Sequence, residues 1–112
     1  MSKLKIGNNE YTVKETSITD TNLGEDNRGR IWYEKLSIYL DKELPNSLKI
    51  QTAYHELAHA ICEESSFNGM LMEKLGDNGY EIFINSLGST IMNFVYDNNL
   101  EQFKKSLTKE SK

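Results

Sequence analysis

The segment His55-Glu56-Leu57-Ala58-His59 holds the residues best suited to chemistry in this sequence. Its two histidines are the only ones in the chain, and they stand four residues apart. Four residues advance an α-helix by about 6 Å and slightly more than one turn. Both imidazoles then leave one face and can reach a single metal ion. Glu56 lies one step round the helix, where its carboxylate can take a proton from a water at the metal without becoming a ligand. On a helix, H-E-x-x-H therefore reads as a zinc site with its general base. The flanking Thr52, Ala53, Leu57, Ala58, Ala60 and Ile61 are small or apolar, and no proline interrupts them. Such a helix can lie in a core.

Catalytic zinc usually has three protein ligands and an open position, so a third ligand must come from elsewhere in the chain. Residues 77 to 98 read as a second long helix. At 100° per residue, Phe83, Phe94, Leu87, Tyr80, Ile91, Ile84, Val95, Gly88 and Met92 fall on one arc, and Glu81 lies inside it. A carboxylate on an apolar face needs a partner or a metal, which makes Glu81 the candidate ligand. Gly88, two turns further on, lets another helix approach closely and bring Glu81 to the histidines. Other readings stay open. Glu81 also suits the first turn of a helix, where the dipole favours acids. Asp77 lies near the same face, although it is also the natural N-cap. Cys62 projects roughly with the histidines, but its short side chain tilts back along the helix, and a buried, inert thiol is its simpler role. Tyr54 and Tyr80 adjoin the site residues; either phenol can hold an oxyanion or substrate carbonyl, with packing as the blander role.

The elements that must position these residues follow from periodicity. Leu4 and Ile6, then Tyr11 and Val13, alternate as in a hairpin turned at Asn8-Asn9. Residues 16 to 28 read as a loop. Ile31-Trp32-Tyr33 and the alternating Leu36, Ile38 and Leu40 predict two further strands, with a turn at Glu34-Lys35. Pro45 ends the strand region, and Asn46 or Ser47 can cap a helix running to Glu64. Residues 65 to 79 read as a connector with one helical turn. Leu100, Phe103 and Leu107 predict a short terminal helix, and residues 108 to 112 should fray. The expected fold is α+β, a single domain over residues 1–112 with an N-terminal hairpin and loop over 1–22. A small antiparallel sheet packs on the motif helix, and the Glu81 helix crosses beneath. Residues 36 to 41 are expected at the sheet edge, where they can pair with an extended substrate.

Composition narrows the function classes. A length of 112 residues fits one domain. With 13 basic and 17 acidic residues the net charge is -4, which argues against sequence-independent nucleic-acid binding. A lone cysteine forms no internal disulfide, the first nine residues lack the apolar run of a signal peptide, and no apolar stretch is long enough to span a membrane. The expectation is a cytoplasmic protein without a nucleic-acid or membrane partner.

The residues quoted above resemble the small, often phage- or mobile-element-encoded zinc metallopeptidase-like proteins related to the ImmA/IrrE group. The similarity runs from about Gly24 to Asn99. It includes Leu-Gly-Glu at 23 to 25, Thr-Ala-Tyr-His-Glu-Leu-Ala-His-Ala-Ile at 52 to 61, Tyr-Glu-Ile-Phe-Ile at 80 to 84 and Asp-Asn-Asn at 97 to 99. The resemblance implies a minimal zincin-like fold, zinc held by His55, His59 and Glu81, Glu56 as base, and hydrolysis of a peptide or protein substrate such as a repressor, in the host cytoplasm if phage-encoded. The chain is shorter than the larger members and has no evident DNA-binding helix-turn-helix. A non-catalytic, metal-stabilised accessory module that keeps the site is the alternative, and hydrolysis of a cell-wall amide is a third reading.

Overall fold

In a computed structural model, the described residues are 2–109 apart from 18, 21, 25 and 26, with the side chains of 108 and 109 also left aside. Glu25 of the Leu-Gly-Glu segment and residues 110–112 of the tail expected to fray lie outside them, whereas 108 and 109 continue a helix instead of fraying. The elements are β1 (Ser2–Ile6), β2 (Asn9–Thr16), β3 (Gly29–Trp32), β4 (Ser37–Asp41), α1 (Asn46–Glu64), α2 (Asn68–Asp97) and α3 (Leu100–Lys109). The fold is α+β, with a four-stranded sheet against α1 and α2 packed on the other side of α1.

Two hairpins form where the alternation places them, with one adjustment. Ile6 pairs with Asn9, so the first turn is Gly7-Asn8 rather than Asn8-Asn9. β3 and β4 pair antiparallel across residues 33–36, as expected from the Glu34-Lys35 step. The sheet itself is mixed, not antiparallel. Its order is β1-β2-β4-β3, and β2 runs parallel to β4 with Val13 opposite Ile38. The cause is the segment 17–28, which carries the chain past the neighbouring position before β3 begins. The β3–β4 hairpin then returns β4 into the slot beside β2. Residues 37–41 are therefore interior strand, which overturns their expected edge position; β1 and β3 are the edges.

Ile6, Tyr11, Ile38, Leu40 and Ala60 form the core between sheet and α1, with Ala53, Leu57 and Ile61 packed against it. Tyr11 also donates to Glu64 Oε2 at 2.8 Å, tying β2 to the end of α1. α1 starts at Asn46 behind Pro45, with no side-chain cap from Asn46 or Ser47; the Lys49 N–H instead bonds the Pro45 carbonyl at 2.9 Å. Proline suits this position because it has no N–H to satisfy and its φ is already compatible.

The expected connector over 65–79 is mostly helix. α2 begins at Asn68 and breaks at Gly76, where φ is 72° and ψ 173°. Only glycine adopts that backbone readily. The portion after the break is the long helix expected from Asp77. Its inner face buries Tyr80 and Ile84 against Ala58 and Cys62 of α1, and Gly88 against the α1 backbone at Tyr54 and His55. Phe83 and Phe94, on the margins of the arc, are exposed instead. Among the described residues no helix is long and apolar enough to cross a membrane.

Candidate metal centre

His55 and His59 leave the same side of α1, as their spacing requires, with ring centroids 4.9 Å apart and planes at 76°. α2 supplies the third group. Glu81 Oε2 lies 3.6 Å from His55 Nε2, and Glu81 Oε1 lies 3.5 Å from His59 Nε2. The three residues offer ligand atoms all within 4.8 Å of one another and form a group able to hold a metal ion. Neither Asp77 nor Cys62 belongs to this group. Cys62 is buried in the α1–α2 core, where burial raises its thiol pKa. Glu81 departs from expectation in one respect. Its side chain is 51% exposed, at the margin of the buried face rather than within it.

The helix approach that makes this possible occurs at Gly88. A Cβ there would sit 2.9 Å from the Tyr54 carbonyl oxygen and 3.2 Å from His55 Cα. α2 thus rests directly on the α1 backbone at the first histidine, two turns from Glu81. A larger residue would lift the helix carrying Glu81 away from the rings.

Glu56 does not face α2 squarely; it turns toward the β3 edge of the sheet. It lies 100° round α1 from His55 and is 7% exposed. β3 covers it: a Cβ on Gly29 would lie 3.3 Å from Glu56 Cγ and 2.6 Å from Thr52 Cγ2. Periodicity gave no hint of this contact, because Gly29 is an isolated glycine at the start of a short strand. Burial, and secondarily the charge of Glu81, push the Glu56 pKa up to about 7. A carboxyl poised near neutrality is suited to accepting and returning a proton. For His59, burial and then the neighbouring His55 push the pKa down to about 4, so its ring is neutral at pH 7. Metal ligation needs that form.

The tyrosines occupy different places. Tyr80 is buried at 3% exposure, and its hydroxyl lies 2.9 Å from His59 Nδ1 and 2.6 Å from Asn68 Oδ1. It stands behind the ring, on the side away from Glu81, so the expected oxyanion or substrate role does not fit it. Tyr54 packs edge-on against Tyr96, with centroids 6.3 Å apart. It also lines a cleft of about 300 Å³ beside His55, with Gln51, Asn85, Ser89 and Met92. A second cleft of about 380 Å³ opens on the other side of His55, against Glu56, Gly29, Arg28 and Asn27. Gln51, His55 and Asn85 border both. Both clefts reach the candidate metal group at His55.

No family model, curated protein or solved structure matches the chain. The site stands on its own residues: two imidazoles and a carboxylate gathered from two helices, with a buried acid beside them.

Proposed function

We propose that this chain is a zinc-dependent metallopeptidase of minimal size. The observation that carries the reading is the convergence of His55, His59 and Glu81 beside the buried Glu56. Tetrahedral zinc with bonds near 2.0–2.1 Å separates its ligand atoms by about 3.4 Å. His55 Nε2 and His59 Nε2 lie 3.6 and 3.5 Å from the two oxygens of Glu81, and all the ligand atoms lie within 4.8 Å, so modest side-chain adjustment would bring them to that spacing. Two nitrogens and a carboxylate oxygen are also a common catalytic zinc donor set.

When bound, zinc lowers the pKa of water and polarises a carbonyl oxygen. The chain's own residues supply the rest. Glu56, buried and near neutral pKa, accepts the proton of the attacking water and returns it to the leaving amine nitrogen. β3 offers a place for substrate backbone. Its pairing with β4 includes a bond from the Asp41 N–H to the Arg28 carbonyl at 2.8 Å. By the alternation of an antiparallel ladder, the Gly29 and Ile31 backbone groups then face the free edge. Gly29 borders the cleft beside Glu56. An extended peptide added to this edge runs past the metal group. This strand takes the role expected of residues 36 to 41.

The test begins with metal content. Full-length protein supplied with zinc should carry one ion per chain, and His59→Ala and Glu81→Ala should each lose it. Zinc-loaded protein should then cleave members of a peptide library, with cleavage abolished by a chelator and restored by zinc. Stoichiometric zinc without any cleavage would favour the metal-stabilised accessory module. Failure to bind zinc would overturn both.

A further inference from the structure

The hydrogen bonds behind His59 run in one direction, and the group at their far end sets that direction. The Glu63 carboxylate, in the last turn of α1, can only accept when ionised. Asn68 Nδ2 lies 2.9 Å from Glu63 Oε1 and 3.4 Å from the Tyr33 hydroxyl. The Asn68 amide thus turns its nitrogen to Glu63 and its carbonyl oxygen to Tyr80. The reverse orientation would set two acceptor oxygens 2.9 Å apart at Glu63. Tyr80 has one hydroxyl proton, and Asn68 Oδ1 receives it at 2.6 Å. Only lone pairs on the Tyr80 oxygen remain for His59 Nδ1, 2.9 Å away. The imidazole must donate.

We propose that Glu63, Asn68 and Tyr80 act as a positioning relay that holds His59 as its Nδ1–H tautomer, with the Nε2 lone pair turned toward Glu81. The relay rests on the metallopeptidase reading for its purpose but not for its existence. A ring fixed in this tautomer offers its ligand nitrogen without first moving a proton, and its orientation is set before a metal arrives. Partners of this kind, hydrogen-bonded to the far nitrogen of a ligand imidazole, tune metal affinity. The three relay residues come from the end of α1, the start of α2 and the portion of α2 beyond Gly76. The relay gives the first turns of α2 a task in the site, because they place Asn68 between Glu63 and Tyr80.

The tautomer is directly measurable on the metal-free, ¹⁵N-labelled full chain at pH 8 by long-range ¹H–¹⁵N correlation of the imidazole rings. The wild-type His59 should carry its proton on Nδ1. Tyr80→Phe and Asn68→Ala should each shift His59 toward the Nε2–H form. The double variant Glu63→Gln/Asn68→Asp keeps an acceptor facing Tyr80 while the glutamine amide donates to the new carboxylate, and it should retain Nδ1–H, which a purely structural role for Asn68 does not predict. By isothermal titration, zinc affinity should fall about 10–100-fold in Tyr80→Phe and be retained in Glu63→Gln/Asn68→Asp. An Nε2–H tautomer in the wild type overturns the relay, as does an unchanged tautomer in Tyr80→Phe. So does a Glu63→Gln/Asn68→Asp variant that behaves like Asn68→Ala. A chain that binds no zinc but shows the expected tautomers sinks the metallopeptidase reading and leaves the relay standing.

Discussion

The two long sides of α1 are built differently. Toward the sheet, Ala53, Leu57, Ala60 and Ile61 meet Tyr11, Ile38 and Leu40 through side chains alone. Toward α2, the backbone of α1 is in contact at Gly88, and His55 and His59 project between the helices. Glu56 lies on the seam between the sides, buried under β3 yet within the electrostatic influence of Glu81. The sheet side fixes where the helix sits and can absorb small changes of shape by repacking. On the proposed zinc reading the α2 side would have no such slack, because metal–ligand distances tolerate only a few tenths of an ångström. One helix thus separates stability from chemistry by face, and each face can be attacked on its own.

The sharpest break is Glu56→Gln. Peptide turnover by the zinc-loaded protein should fall about 10²–10⁴-fold, while zinc content stays at one per chain. A variant that loses its zinc would place Glu56 among the ligands and erase the distinction between base and metal group. Ile38→Ala, on the sheet side, should cost about 2–5 kcal/mol in denaturant unfolding. The zinc affinity of its folded form should not change. A parallel loss of affinity would show that the two sides are coupled.

Titration sharpens the seam. Glu56 is raised from 4.5 to about 7 in the folded protein, so folding favours its neutral form. The penalty for ionising it is absent below pH 4.5, grows between pH 4.5 and 7, and is constant above. Metal-free Glu56→Gln should therefore be more stable than wild type at pH 8, by up to about 3 kcal/mol, and equal to it at pH 4. His59 works in the opposite direction. Its pKa is lowered to about 4 from 6.5, so the stability its neutral ring contributes is lost as pH falls from 6.5 to 4. Unfolding of the metal-free variants across pH 4–8 reads both windows.

Gly88→Ala tests the α2 side by steric push. Its Cβ would meet the Tyr54 carbonyl oxygen at 2.9 Å, at a cost of about 1–3 kcal/mol. Unlike Ile38→Ala, it should also weaken zinc binding, because the displaced helix carries Glu81. An unaltered zinc affinity would mean that α2 can shift without moving its carboxylate. The smallest effect belongs to Tyr54→Phe, which keeps the ring contact with Tyr96. Turnover should hardly change. A drop of about 10²-fold, the size expected for a lost oxyanion donor, would give the Tyr54 hydroxyl a direct part in the reaction.

The features legible in the sequence were those governed by helical repetition. The four-residue spacing of His55 and His59 fixes their common face wherever the helix lies. The arc shared by Tyr80, Ile84 and Gly88 marked the surface that meets α1, and Glu81 fell within reach of it. The extended segments were equally clear, because alternation is local. Their neighbours were not. A period of two records which face a residue takes and says nothing about which strand lies alongside, so the parallel β2–β4 pair and the edge position of β3 emerged only from the folded chain. The burial of Glu56 under Gly29 had no signature for the same reason. Nor did the hydrogen bonds from Glu63 through Asn68 and Tyr80 to His59, since their members come from three segments with no common repeat. Local geometry, set by covalent structure and helix pitch, is written residue by residue; the partners that bury an acid or orient an imidazole exist only after distant segments have packed.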